Sequence, residues 1–309
     1  MEKVIIAGGS GLIGRELTSV LINNGYQVAI LSRNPEAVTG IATGVKLVRW
    51  DGITPKGWEA ELENTTAIVN LTGENLAGSG FFPARWTDER KRRIIKSRID
   101  AGKAIAEALK ESIHKPAVVI QASSIGFYGI SMDKSFTEED KSGADFLAEI
   151  CREWEASSAS IDALGVRRVV IRTGVVLTTK GGALPRLLLP YKLYVGGPMG
   201  TGRQILSWLH IADEVNAIQF LIENDDAKGI FNLTSPNPVS NNEFGKTIGK
   251  VMRKPHFIPV PGFVMKIVFG EVSTVVLEGQ RVLPKRLLDS GYIFKYPMLE
   301  DALRDLLRK

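Results

Sequence analysis

Three glycines spaced three residues apart, Gly8, Gly11 and Gly14, lie close to the N-terminus of this chain. An apolar run at residues 3–7 precedes them, and residues 15–25 follow with the periodicity of an amphipathic helix. In such a turn the first glycine permits a sharp bend, the second lets a pyrophosphate reach the backbone, and the third lets the helix pack closely on the strand. The N–H groups at the start of the helix then face the phosphates. The pattern predicts a dinucleotide-binding turn; the alternative is a glycine-rich turn of an unrelated α/β protein.

The end of the second apolar run, residues 27–33, indicates which dinucleotide would bind. An acidic residue at this place binds the ribose 2′-hydroxyl of NAD, and its charge would repel a 2′-phosphate. Here the run ends with Ser32 and Arg33, and the first carboxylate after them is Glu36. Ser32 offers a hydroxyl, and Arg33 offers a planar cation suited to a phosphate. The sequence therefore predicts NADP(H); a solvated surface arginine is the alternative for Arg33.

Later apolar runs predict further strands, whose carboxyl ends are expected to carry cofactor contacts. Residues 45–50 end at Asp51, which could accept a hydrogen bond from an adenine amino group or serve as a turn residue; both interpretations stay open. Residues 67–71 lead into the segment expected to line the nicotinamide ribose and the pyrophosphate. That segment consists of Leu71, Thr72 and Gly73. The glycine again permits close approach of a ligand to the backbone.

Residues 87–111 have the pattern of a long helix, with Thr87 as its N-cap. Arg98 lies near the start of the apolar stripe, where it could face the crevice and meet a phosphate; a solvated helix face is the alternative. Val176 follows a further strand, residues 166–172, and leads back to the crevice. The complete set of predicted cofactor contacts is Gly8, Ser10, Gly11, Leu12, Ile13, Gly14, Ser32, Arg33, Asp51, Leu71, Thr72, Gly73, Arg98 and Val176.

A hydroxyl pair and a phenol follow the fifth predicted strand, residues 117–122. Ser123, Ser124 and Tyr128 lie in the loop after this strand, so they are expected in the crevice. The next helix is predicted over residues 146–163. Ser124 and Tyr128 are the candidate catalytic residues.

The composition, with 44% hydrophobic and 24% charged residues, is typical of a globular protein. The net charge of +5 is mild, and there is no basic stripe with interleaved aromatic residues that would predict nucleic-acid binding. Cys151 is the only cysteine and the three histidines are scattered, so we expect neither an intrachain disulfide nor a metal site. Residues 263–277 are apolar but interrupted by Lys266 and Glu271, so no membrane span is predicted. We expect a cytoplasmic protein, or a plastid or mitochondrial one if a transit peptide has been removed.

Alternating strands and helices predict an α/β fold with a Rossmann-type, doubly wound parallel sheet. Residues 179–205 are irregular and rich in glycine and proline, which indicates the start of a smaller C-terminal α/β lobe for the substrate. Residues 206–211 are expected to return to the sheet as a strand, with Asp213 capping the next helix. We therefore predict an NADP-binding domain of residues 1–178 and 206–229, and a substrate-binding lobe of residues 179–205 and 230–309.

In this order the segments resemble the extended short-chain dehydrogenase/reductases. The closer resemblance is to an atypical branch, the epimerase family proteins, which are relatives of nucleoside-diphosphate-sugar epimerases with a C-terminal domain of unknown function. It covers essentially the whole chain. Besides the glycine turn, the matching segments are VNLTGEN (69–75), RW (85–86), SR (97–98), SSIGFYG (123–129), FLAEICREWE (146–155), RTGVVL (172–177), GGP (196–198), SWLHIAD (207–213) and LEGQRVLPKRL (277–287). The resemblance implies NADP as cofactor, a small-molecule substrate and a homodimer formed through two long helices.

The resemblance breaks at the catalytic helix. Catalytic members of the superfamily carry a serine after the fifth strand and a Tyr-x-x-x-Lys on the next helix. The tyrosine is the acid/base, and the lysine lowers its pKa and holds the nicotinamide ribose. Ser124 matches the serine, but the tyrosine and lysine positions fall on Leu147 and Cys151. Tyr128, four residues after Ser124, is the candidate substitute acid, and Glu74 is a weaker candidate for a polar group near the substrate.

Three functions are therefore open. The first is a reductase, epimerase or dehydratase with a rearranged site and an unidentified substrate, with a nucleotide sugar as one option. The second is an NADP-binding sensor or scaffold without turnover, for which the resemblance suggests a link to cell division. The third is a relic that no longer binds a cofactor, which the intact glycine turn opposes. In the lobe, Arg203, Arg281 and Arg286 could bind an anionic or diphosphate group, or lie in solvent.

Overall fold

The computed structural model describes residues 2–78, 80 and 84–308. In these ranges the strands are β1 (Lys3–Ala7), β2 (Gln27–Ser32), β3 (Lys46–Arg49), β4 (Thr65–Asn70), β5 (Val118–Ser124), β6 (Ser135–Phe136), β7 (Arg167–Thr173), β8 (Val175–Leu177), β9 (Ile205–Leu206), β10 (Trp208–His210), β11 (Gly229–Leu233), β12 (Val239–Ser240) and β13 (Arg281–Val282). The α-helices are α1 (Leu12–Asn23), α2 (Asp88–Glu111), α3 (Phe146–Ser157), α4 (Leu184–Lys192), α5 (Ile211–Glu223), α6 (Asn241–Met252), α7 (Gly262–Phe269), α8 (Thr274–Leu277), α9 (Lys285–Asp289) and α10 (Leu299–Leu307). Short 3₁₀ helices span Pro35–Ala37, Glu59–Leu62, Ile125–Tyr128, Ala159–Leu164 and Gly270–Ser273.

The centre of the fold is a parallel sheet of seven of these strands, in the order β11-β7-β5-β4-β1-β2-β3. The chain first builds outward through β2 and β3 on one side of β1, and then continues from β4 on the other side. The strand order therefore reverses at β1, and a crevice opens beyond the carboxyl ends of β1 and β4. The predicted Rossmann-type, doubly wound parallel sheet is confirmed.

Both faces of the sheet are covered, which explains the continuous apolar runs in its strands. Successive side chains of β1 point to opposite faces. Val4 and Ile6 pack in a cluster that includes residues of α1 and α5, such as Leu17. Ile5 joins the cluster on the other face, with residues of α2 such as Ile105. The two packed layers hold the carboxyl ends of the strands, where ligand contacts are expected, in a fixed arrangement.

The helix predicted over residues 146–163 is shorter in the structure. The α-helix ends at Ser157, and the chain continues as the 3₁₀ helix Ala159–Leu164. The Ser157 hydroxyl donates to the carbonyl of Trp154 at 2.6 Å, and Ser158 donates to that of Glu155 at 3.4 Å. Such side-chain hydrogen bonds compete with the helical hydrogen-bond pattern. This competition accounts for the early end of the helix.

Two predictions for residues 206–213 are wrong. The expected return to the main sheet does not occur, because β10 pairs with β8 in a separate two-stranded sheet and β9 pairs with β12. Asp213 does not cap α5. That helix begins after His210, whose Nδ1 accepts the Ala212 N–H at 3.0 Å. The Asp213 carboxylate instead accepts the backbone N–H groups of Lys295 and Tyr296 at 2.6 and 2.9 Å, which joins the C-terminal segment to α5.

The C-terminal part of the chain packs on its own small core, formed by α4, α6, α10 and their neighbours. Its buried residues include Leu188, Trp208, Phe244 and Leu303. Residues 230–233, which the sequence assigned to the lobe, lie in β11 and pair with β7 in the main sheet. The division into a cofactor domain and a lobe otherwise stays a prediction. Among the helices of the described ranges, none is long and apolar enough to cross a membrane.

Candidate functional site

The glycine turn has the geometry that its spacing predicts. Gly8 has a φ of +80°, and a Cβ there would lie 2.9 Å from the Leu71 carbonyl. A Cβ on Gly14 would lie 2.5 Å from the Cα of Gly9, so the start of α1 can pack on the turn only with glycine. A Cβ on Gly11 would meet only the Gly8 carbonyl oxygen within 4 Å, so space is open on that side of the backbone. The turn thus offers a backbone surface that a phosphate can approach.

The start of α1 can receive an anion. The helix begins after Gly11, without a side-chain cap and without an acidic residue in its first turn. The Ser10 carbonyl accepts a hydrogen bond from Arg15 Nε at 2.8 Å, which fixes the turn from its outer side. Leu12 is close to the loop at Gly181, and Ile13 packs on the core. The uncapped N–H groups and the positive end of the helix dipole favour a bound phosphate.

Arg33, which directly follows β2, carries a positive charge that is not paired within the described ranges. The Ser32 hydroxyl accepts the Asn34 N–H at 3.3 Å. The Arg33 side chain is exposed, and it forms no hydrogen bond or ion pair within the described ranges. Glu36 is held by Arg49, whose Nη2 donates to both carboxylate oxygens at 2.6 and 2.7 Å. The charge of this carboxylate is therefore balanced by Arg49, while Arg33 stays available.

Asp51 is used by its own turn. Its Oδ1 accepts the N–H groups of Ile53 and Thr54 at 2.8 Å each, and its Oδ2 accepts the Thr54 hydroxyl at 2.9 Å. These N–H groups, that of Thr54 above all, hold the pKa of the carboxyl below its usual value. The arrangement favours the turn-residue interpretation of Asp51. An adenine contact stays a prediction.

The segment after β4 joins the glycine turn to a buried arginine. Leu71 lies against Gly8, and Asn70 Oδ1 accepts both the N–H and the hydroxyl of Thr72. A Cβ on Gly73 would lie 2.9 Å from the guanidinium carbon of Arg98. Glycine at position 73 therefore leaves the room that the Arg98 side chain occupies.

A cleft of about 240 Å³ lies beyond the carboxyl end of β5. Its lining includes Ser124, Leu147, Cys151, Trp154, Arg98 and Gln280, together with Ile205, Leu206, Thr274, Val275 and Glu278. Leu147 and Cys151, the residues at the tyrosine and lysine positions of the catalytic pattern, thus do face the expected place. Burial raises the pKa of the Cys151 thiol to about 12. The wall that would carry an acid/base pair is therefore uncharged.

Ser124 is the hydroxyl that the sequence placed in the cleft, and the structure brings it there. Its Oγ accepts the Gly126 N–H at 3.2 Å, so its own proton is available for donation. Gly174 and Val175 line the cleft from the next strand end. Val176, the predicted contact, packs against the core instead, because side chains alternate along β8.

Arg98 is buried, with 7% of its surface exposed, yet it has no carboxylate partner in the described part of the chain. Its Nη1 donates to the backbone carbonyls of Glu74 and Ile94 at 3.0 and 2.9 Å. Its Nε has no hydrogen-bond acceptor. The guanidinium carbon lies 4.8 Å from the centre of the Trp154 ring. Burial lowers its pKa to about 10, so the group stays protonated at neutral pH.

Tyr128, the predicted substitute acid, does not line the cleft that the described residues form. Its side chain is buried and stacks on Phe136. The hydroxyl donates to Asn232 Oδ1 at 2.7 Å and accepts from Arg172 Nη1 at 3.0 Å. Burial raises its pKa to about 12. Packing thus places this phenol in a buried hydrogen-bond network, which disfavours the substitute-acid role, and a catalytic role for Tyr128 stays a prediction.

That network was not found from the sequence. Arg172 Nε and Nη2 donate to the two carboxylate oxygens of Glu155 at 2.9 Å each, and the Ser123 hydroxyl donates to Glu155 at 2.7 Å. The guanidinium carbon of Arg172 also lies 3.3 Å from the centre of the Phe127 ring. A charged residue at the end of the apolar strand 166–172 was the available signal. It points to a buried ion pair below the cleft.

The other charged candidates serve different parts of the molecule. The Glu74 carboxylate lies 3.6 Å from Arg90 and 3.6 Å from Arg93. Arg286 donates to the carbonyls of Ile230 and Lys228 at 2.8 Å each, so it holds β11 rather than facing a ligand. Arg281 donates to a backbone carbonyl at 3.3 Å, and Arg203 is exposed. Two of the three lobe arginines thus donate to backbone carbonyls, which accounts for their position without a ligand.

Comparisons with known proteins agree with this geometry. Residues 4–234 match the NAD dependent epimerase/dehydratase family, and residues 260–306 match a domain of unknown function, DUF1731. The epimerase family protein YfhF of Bacillus subtilis (strain 168) is 41% identical over 308 residues, which is 99% of this chain and 98% of the relative.

Solved structures give the same result. The human epimerase family protein SDR39U1 (isoform2), crystallised with NADPH, superposes with a TM-score of 0.84 at 30% identity over 98% of both chains. The UDP-glucose 4-epimerase of Thermus thermophilus in complex with NAD has a TM-score of 0.76 at 17% identity over 98% of this chain and 97% of the other, and at this identity it shows the shared fold alone. The chain therefore belongs to the NAD dependent epimerase/dehydratase family.

Proposed function

We propose that the protein binds NADP(H) and acts as a reductase on a small carbonyl compound. The end of β2 carries the proposal: Arg33 is exposed and unpaired within the described ranges, and Glu36 is neutralised by Arg49. A 2′-phosphate placed there would meet an available cation and no uncompensated carboxylate. The NADPH in the structure of the relative SDR39U1 agrees with this choice of dinucleotide.

The residues present fit such a cofactor. The uncapped start of α1 would hold the pyrophosphate, Ser32 and Arg33 would hold the 2′-phosphate, and the backbone at Leu71 would lie along the ribose. The cofactor, when bound, supplies a hydride to a carbonyl carbon. Ser124 would donate a hydrogen bond to the carbonyl oxygen, orient the substrate, and pass its hydroxyl proton to the alkoxide that hydride transfer leaves, with the serine reprotonated by water. The apolar lining of the cleft would exclude water.

A second candidate is an NADP(H) sensor without turnover. The observation that favours it is the uncharged wall formed by Leu147 and Cys151, where a proton donor with a lowered pKa would be needed. Tyr128 does not replace that donor, because its hydroxyl is held by Asn232 and Arg172. Both candidates share the cofactor site and differ only in what the cleft does.

The cofactor choice is tested by titrating the protein with NADPH and NADH while nicotinamide fluorescence is followed. We expect NADPH to bind about tenfold more tightly or better, because charge-assisted hydrogen bonds contribute about 1.5–3 kcal/mol each. Arg33→Asp should remove this preference. Arg92→Asp, which makes the same charge change at an exposed position of α2, should retain it. Binding of neither dinucleotide, or an unchanged preference in Arg33→Asp, would contradict the proposal.

Turnover is tested separately by following NADPH oxidation with a panel of aldehydes and ketones. A reductase should oxidise NADPH with at least one of them, and Ser124→Ala should lower that rate by about a hundredfold while leaving the affinity for NADPH unchanged. Tight NADPH binding without oxidation across the panel would favour the sensor.

A further inference from the structure

We propose that Arg98 binds the carboxylate of a small, largely apolar acid that enters the cleft beside the cofactor. The guanidinium lines the cleft together with Ser124, Leu147 and Cys151, and it has no acidic partner in the described part of the chain. The inference deepens the proposed function and rests on it only for the place of the cofactor. It names a substrate class that neither the family nor the relatives specify.

Arg98 carries a buried positive charge. Removing a cation from water is costly unless an anion and good hydrogen bonds compensate it. Arg98 has only two backbone carbonyl acceptors, both on Nη1. Glu74 follows Gly73, which packs against Arg98. Its carboxylate lies beside Arg90 and Arg93 and not beside Arg98. Arg98 therefore forms no close ion pair among the described residues, and Glu74 acts on its charge only from a longer distance. An anionic ligand would provide a close partner.

The guanidinium of Arg98 has nitrogen atoms without hydrogen-bond acceptors. Nε has no acceptor, and Nη2 forms no hydrogen bond among the described residues. Nε is fully buried, whereas Nη2 is not, so Nη2 is the nitrogen that can donate a charge-assisted hydrogen bond to a carboxylate in the cleft. Gly73 packs against this side of the guanidinium, and only glycine leaves room for it, since a Cβ there would lie 3.0 Å from Nη2 and 3.2 Å from Nε.

The residues that line the cleft limit which anions can bind there. Besides Arg98, the lining contains the acid Glu278 and several neutral polar groups; most of its other members are apolar, with Leu147, Ile150, Trp154 and Val275 among them. The three arginines of the lobe, Arg203, Arg281 and Arg286, are not among the described residues that line this cleft. One buried cation within largely apolar walls and a volume of about 240 Å³ fit a small molecule whose single carboxylate lies at Arg98 and away from Glu278. They do not fit a nucleotide sugar, whose diphosphate and sugar hydroxyls need many polar partners.

The sequence suggested a cofactor phosphate as the partner of Arg98. We favour the substrate because the lining residues beside Arg98 are the ones that surround the expected reacting centre, Ser124 and the positions of Leu147 and Cys151. The predicted phosphate contacts, in contrast, lie at the glycine turn and at the end of β2. The two assignments differ in what is lost when Arg98 is changed.

The test uses benzoate as the probe and benzamide as its neutral counterpart of similar shape. Each is titrated into the NADPH-saturated protein by calorimetry, and NADPH is titrated separately into every variant. We expect benzoate to bind about tenfold more tightly than benzamide, which corresponds to one charge-assisted contact. Arg98→Met, which keeps a flexible apolar chain over Trp154, should abolish this preference while NADPH affinity changes by less than about threefold.

Two further variants complete the design. Arg90→Met lies on the same helix and should leave the preference for benzoate intact, since Arg90 Nη2 donates to the Asn75 carbonyl and the side chain does not line the cleft. Arg98→Lys keeps the charge without the planar fork, so it should retain part of the preference, and it provides a second measurement if Arg98→Met does not fold.

Three results would overturn the inference. They are equal affinity for benzoate and benzamide in the unchanged protein, full benzoate preference in the Arg98 variants, and loss of NADPH affinity by about tenfold or more in those variants. The last would assign Arg98 to the cofactor. Because NADPH binding by the unchanged protein is measured independently, failure of the cofactor proposal is distinguished from failure of this one.

Discussion

Two buried arginines, Arg98 of α2 and Arg172 of β7, have different partners. Arg172 is 1% exposed, binds both oxygens of Glu155 and donates to Tyr128. Arg98 is 7% exposed and donates only to backbone carbonyls. Each lies against an aromatic ring, Phe127 for Arg172 and Trp154 for Arg98. Residue type and burial therefore do not distinguish a structural cation from one that is ready for a ligand.

In this fold Arg172 serves to stabilise the packing, whereas Arg98 is available for a ligand. A satisfied buried ion pair fixes the position of the elements that supply it, and removing one partner leaves the other uncompensated. A buried cation without an acid adds little to stability, but it provides strong attraction for an anion that can reach it. Arg172 joins α3 to β7 below the cleft, and Arg98 lies in the cleft itself.

The largest effect is expected for Arg172→Met. The substitution leaves the Glu155 carboxylate without its bidentate partner, so the free energy of unfolding should fall by about 3–5 kcal/mol. Urea unfolding measures this loss. The double variant Arg172→Met with Glu155→Gln should recover part of it, because no unpaired charge stays behind. A loss below about 1 kcal/mol in the single variant would show that the pair is not structural.

Glu214 extends the comparison to a buried acid that lacks a cation. Its Oε1 accepts the Thr173 hydroxyl at 2.9 Å, while Oε2 has no partner in the described ranges. Burial raises its pKa from 4.5 to about 8, so the carboxyl stays protonated and uncharged below this pH. Arg98, with a pKa of about 10, stays charged at the same pH. The unfolded chain releases this proton near pH 4.5 and the folded chain near pH 8. Stability should therefore fall as pH rises between these values and level off above them.

The slope from this one group is at most about 1.4 kcal/mol per pH unit. Glu214→Gln should flatten the pH dependence of the free energy of unfolding between about pH 5 and pH 8, and it should be more stable than the unchanged protein at the upper end. Glu107→Gln, at an exposed position of α2, is the control that should keep the slope. An unaltered slope in Glu214→Gln would mean that this carboxyl ionises normally in the folded chain.

Tyr128→Phe separates the structural network from the cleft. The variant loses the hydrogen bonds with Asn232 and Arg172, so stability should fall by about 1–2 kcal/mol. Affinity for NADPH and for benzoate should not change. If a carbonyl substrate is found and this variant binds NADPH normally but loses turnover, Tyr128 would return as a catalytic residue.

The smallest effect on stability is expected for Arg98→Met. It leaves no unpaired acid behind, so unfolding in urea should show a change of less than about 1 kcal/mol. The same variant should lose the preference for benzoate over benzamide. A loss of stability as large as that of Arg172→Met would remove the distinction between the two arginines.

Much of the cofactor-binding half could be predicted from the sequence because its determinants are local. Gly8 and Gly14 act within the turn that joins β1 to α1. The predicted preference for NADP(H) depends only on Ser32 and Arg33 at the end of one strand. Ser124 also follows its strand directly into the cleft. The positions of β9 and β10 and the role of Asp213 could not be predicted, because their partners, β8, β12 and the backbone at residues 295–296, are distant in the chain.

The sequence by itself determined the alternation of strands and helices, the glycine turn and the loss of the tyrosine and lysine at Leu147 and Cys151. Only the tertiary structure decided which polar groups face a ligand. Tyr128 and Ser124 share a loop, yet packing on Phe136 places the phenol below the cleft. Arg98 and Arg172 are both arginines beside apolar residues in the sequence. Their roles depend on whether a carboxylate from another element reaches them, as Glu155 does for Arg172; such a contact between distant segments is set by the folded chain.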